Sequence, residues 1–387
     1  MWDNENNQAQ TKKKSGLSSR VVTMALLTAA VLAVLSMILF PEELNLDAVK
    51  RWFSYLNVRN DGEYGSYTFD SHNSSRYAAM EDQLVLATVG GLYGYDDYGR
   101  ELLAVQGQME LPVLETEGEY ALSYDAAGNT LLLGNDQGTL LQLEEPFPIF
   151  DADLAPDGSV AFATSASGYK SVLAVYDAKQ TMIYRWLSSS TYMPVCAVSE
   201  NSTWLAGIGL GQADGIFESR LYLFQTTSEE PKYTVSLGNE LIYDLNFVKD
   251  DLICAVGEDS VQFVRTDGTI VGAYSYEGQF LKDHNCGGDG FLAFTLNMYK
   301  AGNRYTVVTV SDKGEELASL YLGEEIVDLS VNGKYLAVLT PDAMTIYHSD
   351  LEVYAQTTEV SGVTSVAMRK DGTAVLIGNG SGTLFIP

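Results

Sequence analysis

The chain has 387 residues, of which 46% are hydrophobic and 11% aromatic, and carries a formal net charge of −28 at pH 7. That apolar content is enough for a large folded core, and the negative surface repels phosphate backbones, which excludes a nucleic-acid partner. Three cysteines, Cys196, Cys254 and Cys286, give no even disulfide framework. Cys196 and Cys254 sit in apolar strand contexts, where a free thiol behaves as a small hydrophobe, and Cys286 sits in a turn.

Residues 1–20 are polar and then basic, with Lys12, Lys13, Lys14 and Arg20, and read as a short cytoplasmic tail. Residues 21–40 contain no charge and only Thr23, Thr28 and Ser36 as polar members. A helix of that length, at about 1.5 Å per residue, crosses a hydrocarbon core of about 30 Å. The basic cluster before it and Glu42 and Glu43 after it predict a cytoplasmic N-terminus. A cleavable signal has a shorter apolar region ending in small residues. This run is longer and ends in Phe40, Pro41 and two glutamates, so an uncleaved membrane anchor is expected. Residues 41–63 place Leu46, Val49, Phe53 and Leu56 at helical spacing beside Trp52. This predicts a juxtamembrane amphipathic helix and linker, lying at the membrane surface or packed as a stalk.

From residue 64 onward the pattern changes to a period of two. Asp151 to Thr164 reads as strand, Pro-Asp-Gly turn, strand, a strong hairpin signal. The unit recurs, with turns at Glu81, Ala127, Asp157, Asn201, Asp250, Asp289, Asn332 and Asp371, at intervals of 30 to 49 residues. A mean spacing of about 41 residues with four strands per unit is the signature of propeller blades. The prediction is an all-β, eight-bladed propeller of four-stranded antiparallel blades over 64–387, with seven blades as the alternative. The eighth unit holds three strands, and an orphan strand at Ser66–Asp70 can complete it and close the ring.

The basic tail, the anchor and the blade phrases of residues 167–186, 218–231 and 333–354 together resemble a signal-anchored bacterial propeller family of unknown function, domain-of-unknown-function family 5711. The resemblance spans about residues 20–387. It implies a WD40-like or quinoprotein-like toroid on the outer face of the cell membrane, and it implies no activity. The Trp-Asp dipeptide of WD40 repeats is absent, with Tyr176-Asp177 the nearest echo, and the docking pattern of quinone-cofactor propellers is missing.

Aligned on their turns, the units show one recurrent polar position. Asp151, Asp244 and Asp283 stand six residues before the turn and Asp328 four, each followed two residues later by a polar residue, Asp153, Asn246, Asn285 or Ser330. Alternation puts these on one face of each innermost strand, lining a channel mouth. Two roles are open. An acidic ring could bind calcium, the one cofactor the pattern admits, or a cationic group of a partner. Alternatively, each Asp accepts backbone hydrogen bonds within its own blade. His284-Asn285-Cys286 has ligand-like spacing, but no second pair completes a metal site, and the Gly-x-Gly turns at 207–212 and 378–382 lack the helix that a dinucleotide site needs. The functional expectation is a membrane-anchored extracytoplasmic interaction or scaffold module, not an enzyme, with a cell-envelope protein as partner. The alternatives are a glycan or small-ligand binder and a carboxylate-based hydrolase.

Overall fold

Apolar residues two apart, punctuated by short polar turns, bury their side chains most fully as stacked antiparallel hairpins. The computed structural model describes residues 64–387 apart from Ser71 and Asn73, together with Arg51 and Tyr55. The tail and anchor expected at 1–40, and nearly all of the segment expected at 41–63, lie outside the described residues. Among those described, no helix is long and apolar enough to cross a membrane.

The described residues contain 32 strands, β1 to β32 in chain order, arranged as eight four-stranded antiparallel sheets. Each sheet is a blade. Blades 1 to 7 begin with β2 (Arg76–Met80), β6 (Pro112–Glu117), β10 (Asp151–Leu154), β14 (Tyr192–Val198), β18 (Ile242–Lys249), β22 (Phe280–Asn285) and β26 (Asp328–Asn332), and each uses four consecutive strands. Blade 8 takes β30 (Ser365–Met368), β31 (Ala374–Gly378) and β32 (Ser381–Phe385), and its fourth strand is β1 (Ser66–Thr68). The eight-bladed count holds and the seven-bladed alternative does not. The closing strand is shorter than Ser66–Asp70: Tyr67 pairs with Gly382, and beyond Thr68 one further bond runs from the Phe69 N–H to the Gly380 carbonyl.

One unit departs from the repeat read in the sequence. The second blade begins at Pro112, not near Tyr120, and the Ala127 turn joins its second strand, β7 (Tyr120–Asp125), to its third. The turn equivalent to the others is Gly118-Glu119, between Glu117 and its partner Tyr120. Gly118 takes a φ of 55° there. Local turn chemistry was equally good at both places. Only the pairing of β6 with β7 decides between them.

The turns owe their sharpness to aspartates and glycines. At Pro156-Asp157-Gly158 the Asp157 carboxylate accepts the Ser159 N–H at 2.9 Å, and Gly158 sits at φ 85°. A Cβ on Gly158 would also come within 2.7 Å of the Tyr120 ring of the preceding blade.

Among the described residues there is no single core. Eight apolar clusters fill the eight seams between neighbouring blades. For example, Leu252, Cys254 and Val256 of blade 5 meet Leu292 and Phe294 of blade 6. Tyr67, Leu84, Val375 and Ile377 fill the seam where blade 8 meets blade 1. Strands flanked on both faces by other blades are almost wholly apolar, whereas outer strands alternate buried and exposed. The first strands neighbour one another around the axis. Side chains on their free faces therefore collect at one bore.

Candidate functional site at the bore

On β10, Ala152 and Leu154 are buried, while Asp151 and Asp153 leave the opposite, half-buried face. The same face carries Asp244 on β18, Asp283 on β22 and Asp328 on β26. These are the acids predicted from the repeat. The structure adds Glu115 on β6, which the misplaced second unit had hidden. A turn set at Gly118 makes the first intervals 37 and 39 residues, from Glu81 and to Asp157, and that regularity is the signal that would have found Glu115.

Most of these acids tie one blade to the next. Glu115 accepts the Leu154 N–H of blade 3 at 3.1 Å. Asp151 accepts the Cys196 N–H of blade 4 at 2.9 Å and the Tyr124 hydroxyl of blade 2 at 3.0 Å. Asp153 accepts the Val198 N–H of blade 4 at 2.6 Å. Asp328 accepts the Val366 N–H at 2.7 Å and the Ser365 hydroxyl at 2.5 Å, both from blade 8. Ser330 likewise accepts the Met368 N–H at 2.9 Å. Within-blade bonding was the structural expectation. The observed bonds instead run mainly between blades, because a short side chain on one first strand reaches the unpaired N–H groups of the adjacent first strand. Those backbone donors would otherwise be orphaned.

Asp244 and Asp283 differ from the rest. Asp244 receives the Asn246 amide at 2.8 Å and lies 2.7 Å from His284 Nε2 of blade 6. The sequence showed no second ligand pair for His284; in the structure its ring nitrogen instead hydrogen-bonds the Asp244 carboxylate. Burial alone would lower its pKa, but the hydrogen bond and charge of Asp244 outweigh this and raise it. Asp283 is exposed and accepts the N–H of its neighbour His284. Asn285 turns inward on its own loop, accepting the Gly287 N–H at 2.9 Å.

The electrostatics separate the acids into two groups. The charge of Asp244 on blade 5 acts on Glu115, Asp151 and Asp153 of blades 2 and 3. Burial, chiefly, pushes Asp151 up to about 7 and Asp153 up to about 8, and the neighbouring carboxylates add to it. Glu115 rises well above the usual carboxylate range for the same reasons. Asp283 and Asp328 form the second group, both raised first by desolvation; Asp283, whose side chain is exposed, is also raised by Asp328. Among the described residues, no group of three or more His, Cys, Asp or Glu side chains is placed to hold a metal ion. Elsewhere, Cys286 is more than a turn thiol: its Sγ lies 3.6 Å from that of Cys254 across the seam between blades 5 and 6.

Among solved structures, the C-terminal WD40 domain of Sif2 superposes with a TM-score of 0.59 at 15% identity, covering 83% of this chain and 97% of that one. BamB from Moraxella catarrhalis superposes with a TM-score of 0.51 at 13% identity, covering 83% and 98%. At such identities the likeness is one of fold. No curated protein sequence matches. A family model described as a family of unknown function (DUF5711) matches residues 58–381.

Proposed function

The chain belongs to the family of unknown function DUF5711, and from that membership and the geometry of its bore we propose that it is a membrane-anchored, extracytoplasmic interaction module that binds a cell-envelope protein rather than transforming a substrate. The observation that carries the reading is the group formed by Glu115, Asp151, Asp153 and Asp244. Burial and the neighbouring carboxylates, Asp244 among them, hold Glu115, Asp151 and Asp153 above the usual carboxylate range, a poor arrangement for the isolated ring at neutral pH. A lysine or arginine from a partner, entering the bore, would relieve it. The propeller fold shared with a WD40 domain and with BamB supports a rigid binding scaffold. The apolar run at 21–40 and its flanking charges support an anchor with the propeller outside.

The test is crosslinking in intact cells, followed by capture of the full chain from native membranes. The parent should retain a defined envelope protein, and Glu115→Gln with Asp244→Asn should lose it while still folding. Equal capture by both would remove the bore from the reading. Protease added to intact cells should digest the propeller and spare the tail; a protected propeller would overturn the topology.

A further inference from the structure

A second candidate site lies on the outer rim, away from the bore. The edge strand of blade 3, β13 (Met182–Ser188), faces residues 226–230 of blade 4 across a groove of about 480 Å³. That volume falls within the ordinary range for small-molecule sites. Tyr184 and Trp186 lie on the blade 4 side of β13, with ring centroids 6.2 and 4.9 Å from that of Phe224. Tyr169 borders the same groove and is 43% exposed. Glu229 and Glu230 stand exposed at its lip.

The unusual feature is the Tyr184 hydroxyl. Tyr184 is 8% exposed, and its oxygen is shielded and has no hydrogen-bond partner among the described residues. Buried hydroxyls are nearly always bonded, so an orphan beside a groove marks a place where a ligand atom can arrive. Burial, and then the charge of Glu230, pushes this phenol up to about 12, so it stays neutral. Arg185 also borders the groove, but it belongs to the alternate face of β13, where its charge acts on Glu145 and Tyr176.

The ligand class follows from the groups available. Two carboxylates accept only, and the neutral phenol can accept as well as donate. A ligand that serves all three groups therefore donates. Aromatic faces beside carboxylates, on a chain of net charge −28, favour a cation over a neutral donor. A quaternary ammonium has no N–H for the phenol, whereas a primary ammonium has three. We propose that the rim groove between blades 3 and 4 binds a primary alkylammonium group, carried by a diamine or by a lysine side chain.

The full-length chain is titrated with cadaverine, with Nα-acetyl-lysine amide, with cadaverine trimethylated at both nitrogens and with neutral cellobiose. Tryptophan fluorescence is the readout, and Trp186→Phe identifies the Trp186 signal. Cadaverine or the lysine amide should quench Trp186 saturably, and the tighter of the two assigns the source. The trimethylated amine should bind more weakly. Glu229→Gln with Glu230→Gln, both at exposed positions, should weaken binding about tenfold or more, and Tyr184→Phe several-fold with an unchanged melt. Absence of saturable quenching, equal quenching by cellobiose, or binding indifferent to the two glutamates would overturn the proposal.

Discussion

The guanidinium of Arg369 lies 2.7 Å from the carboxylate of Asp97, although 272 residues separate them. Arg369 is 1% exposed. Its same terminal nitrogen reaches the Tyr67 hydroxyl at 2.8 Å and the Asp82 carbonyl at 2.7 Å. Tyr67 in turn donates to Asp97 at 2.9 Å. Arg369 follows the first strand of blade 8, Tyr67 sits on the closing strand, and Asp82 and Asp97 belong to blade 1. One buried cation thus ties blade 8 and its closing strand to blade 1, beside the β1–β32 pairing at which the ring closes without covalent continuity.

Replacing that cation tests the lock. Arg369→Met leaves the half-buried Asp97 with only the Tyr64 and Tyr67 hydroxyls as donors, and the loss of the pair should cost up to about 3 kcal/mol. Tyr67→Phe removes one hydroxyl and should cost about 1 kcal/mol. Deleting residues 64–70 would expose the edge of β32 and should abolish cooperative folding. Chemical denaturation followed by fluorescence measures all three. An Arg369→Met midpoint equal to the parent's would show that the seam closes without the lock.

The bore acids predict a pH dependence. Asp151, Asp153 and Glu115 have folded pKa values above their unfolded ones, so the folded ring holds their protons more tightly. Their contribution is full below about pH 4 and is lost as pH rises through the folded values, near 7 and 8 for the two aspartates. His284, also raised, acts in the same direction at higher pH. The groups are half-buried and share one bore, so together they should remove about 1–3 kcal/mol of stability between about pH 4 and pH 8. Asp153→Asn should flatten that slope. Melting temperatures across the range decide, and an identical slope in the variant would rule out these carboxyls as its source.

The ties between blades predict unequal truncations. Asp328→Ala strips the acceptor from Ser365 and from the Val366 N–H and should cost about 1–3 kcal/mol. Asp283→Ala removes an exposed side chain bonded to its own neighbour and should change stability by about 0.5 kcal/mol or less. Equal losses at the two positions would contradict the division of roles.

The thiols predict a reactivity order. Cys286 is raised well above the ordinary thiol range, first by its hydrogen bond to Cys254 and then by burial. Cys196 is raised by burial and by nearby carboxylates. Alkylation of the folded protein should be slow at neutral pH. Cys286, half-buried, should react before the buried Cys196 and Cys254. Cys254→Ala should speed the reaction of Cys286. Peptide mass mapping after timed alkylation reads the order, and a Cys196-first pattern would be inconsistent with it.

Strand, turn and blade number were legible in the amino-acid order because each is written locally. A period of two marks a strand with one packed face, and Asp-Gly or Asn-Gly marks the reversal. Three strands in the last unit and a spare strand at Ser66 dictated the closure. Asp151, Asp153, Asp244, Asp283 and Asp328 were found because they recur in register. Glu115 was not, since Ala127-Gly128 and Gly118-Glu119 are equally good turns and no local rule chooses between them. What those acids bond to, the pairing of Asp244 with His284, the approach of Cys254 to Cys286 and the lock of Arg369 on Asp97 were decided only by the closed ring. Apart from the local bonds of Asp283 to His284 and Asp244 to Asn246, each joins residues of different blades, tens or hundreds of positions apart, and the angle at which neighbouring blades meet sets which side chain reaches which donor.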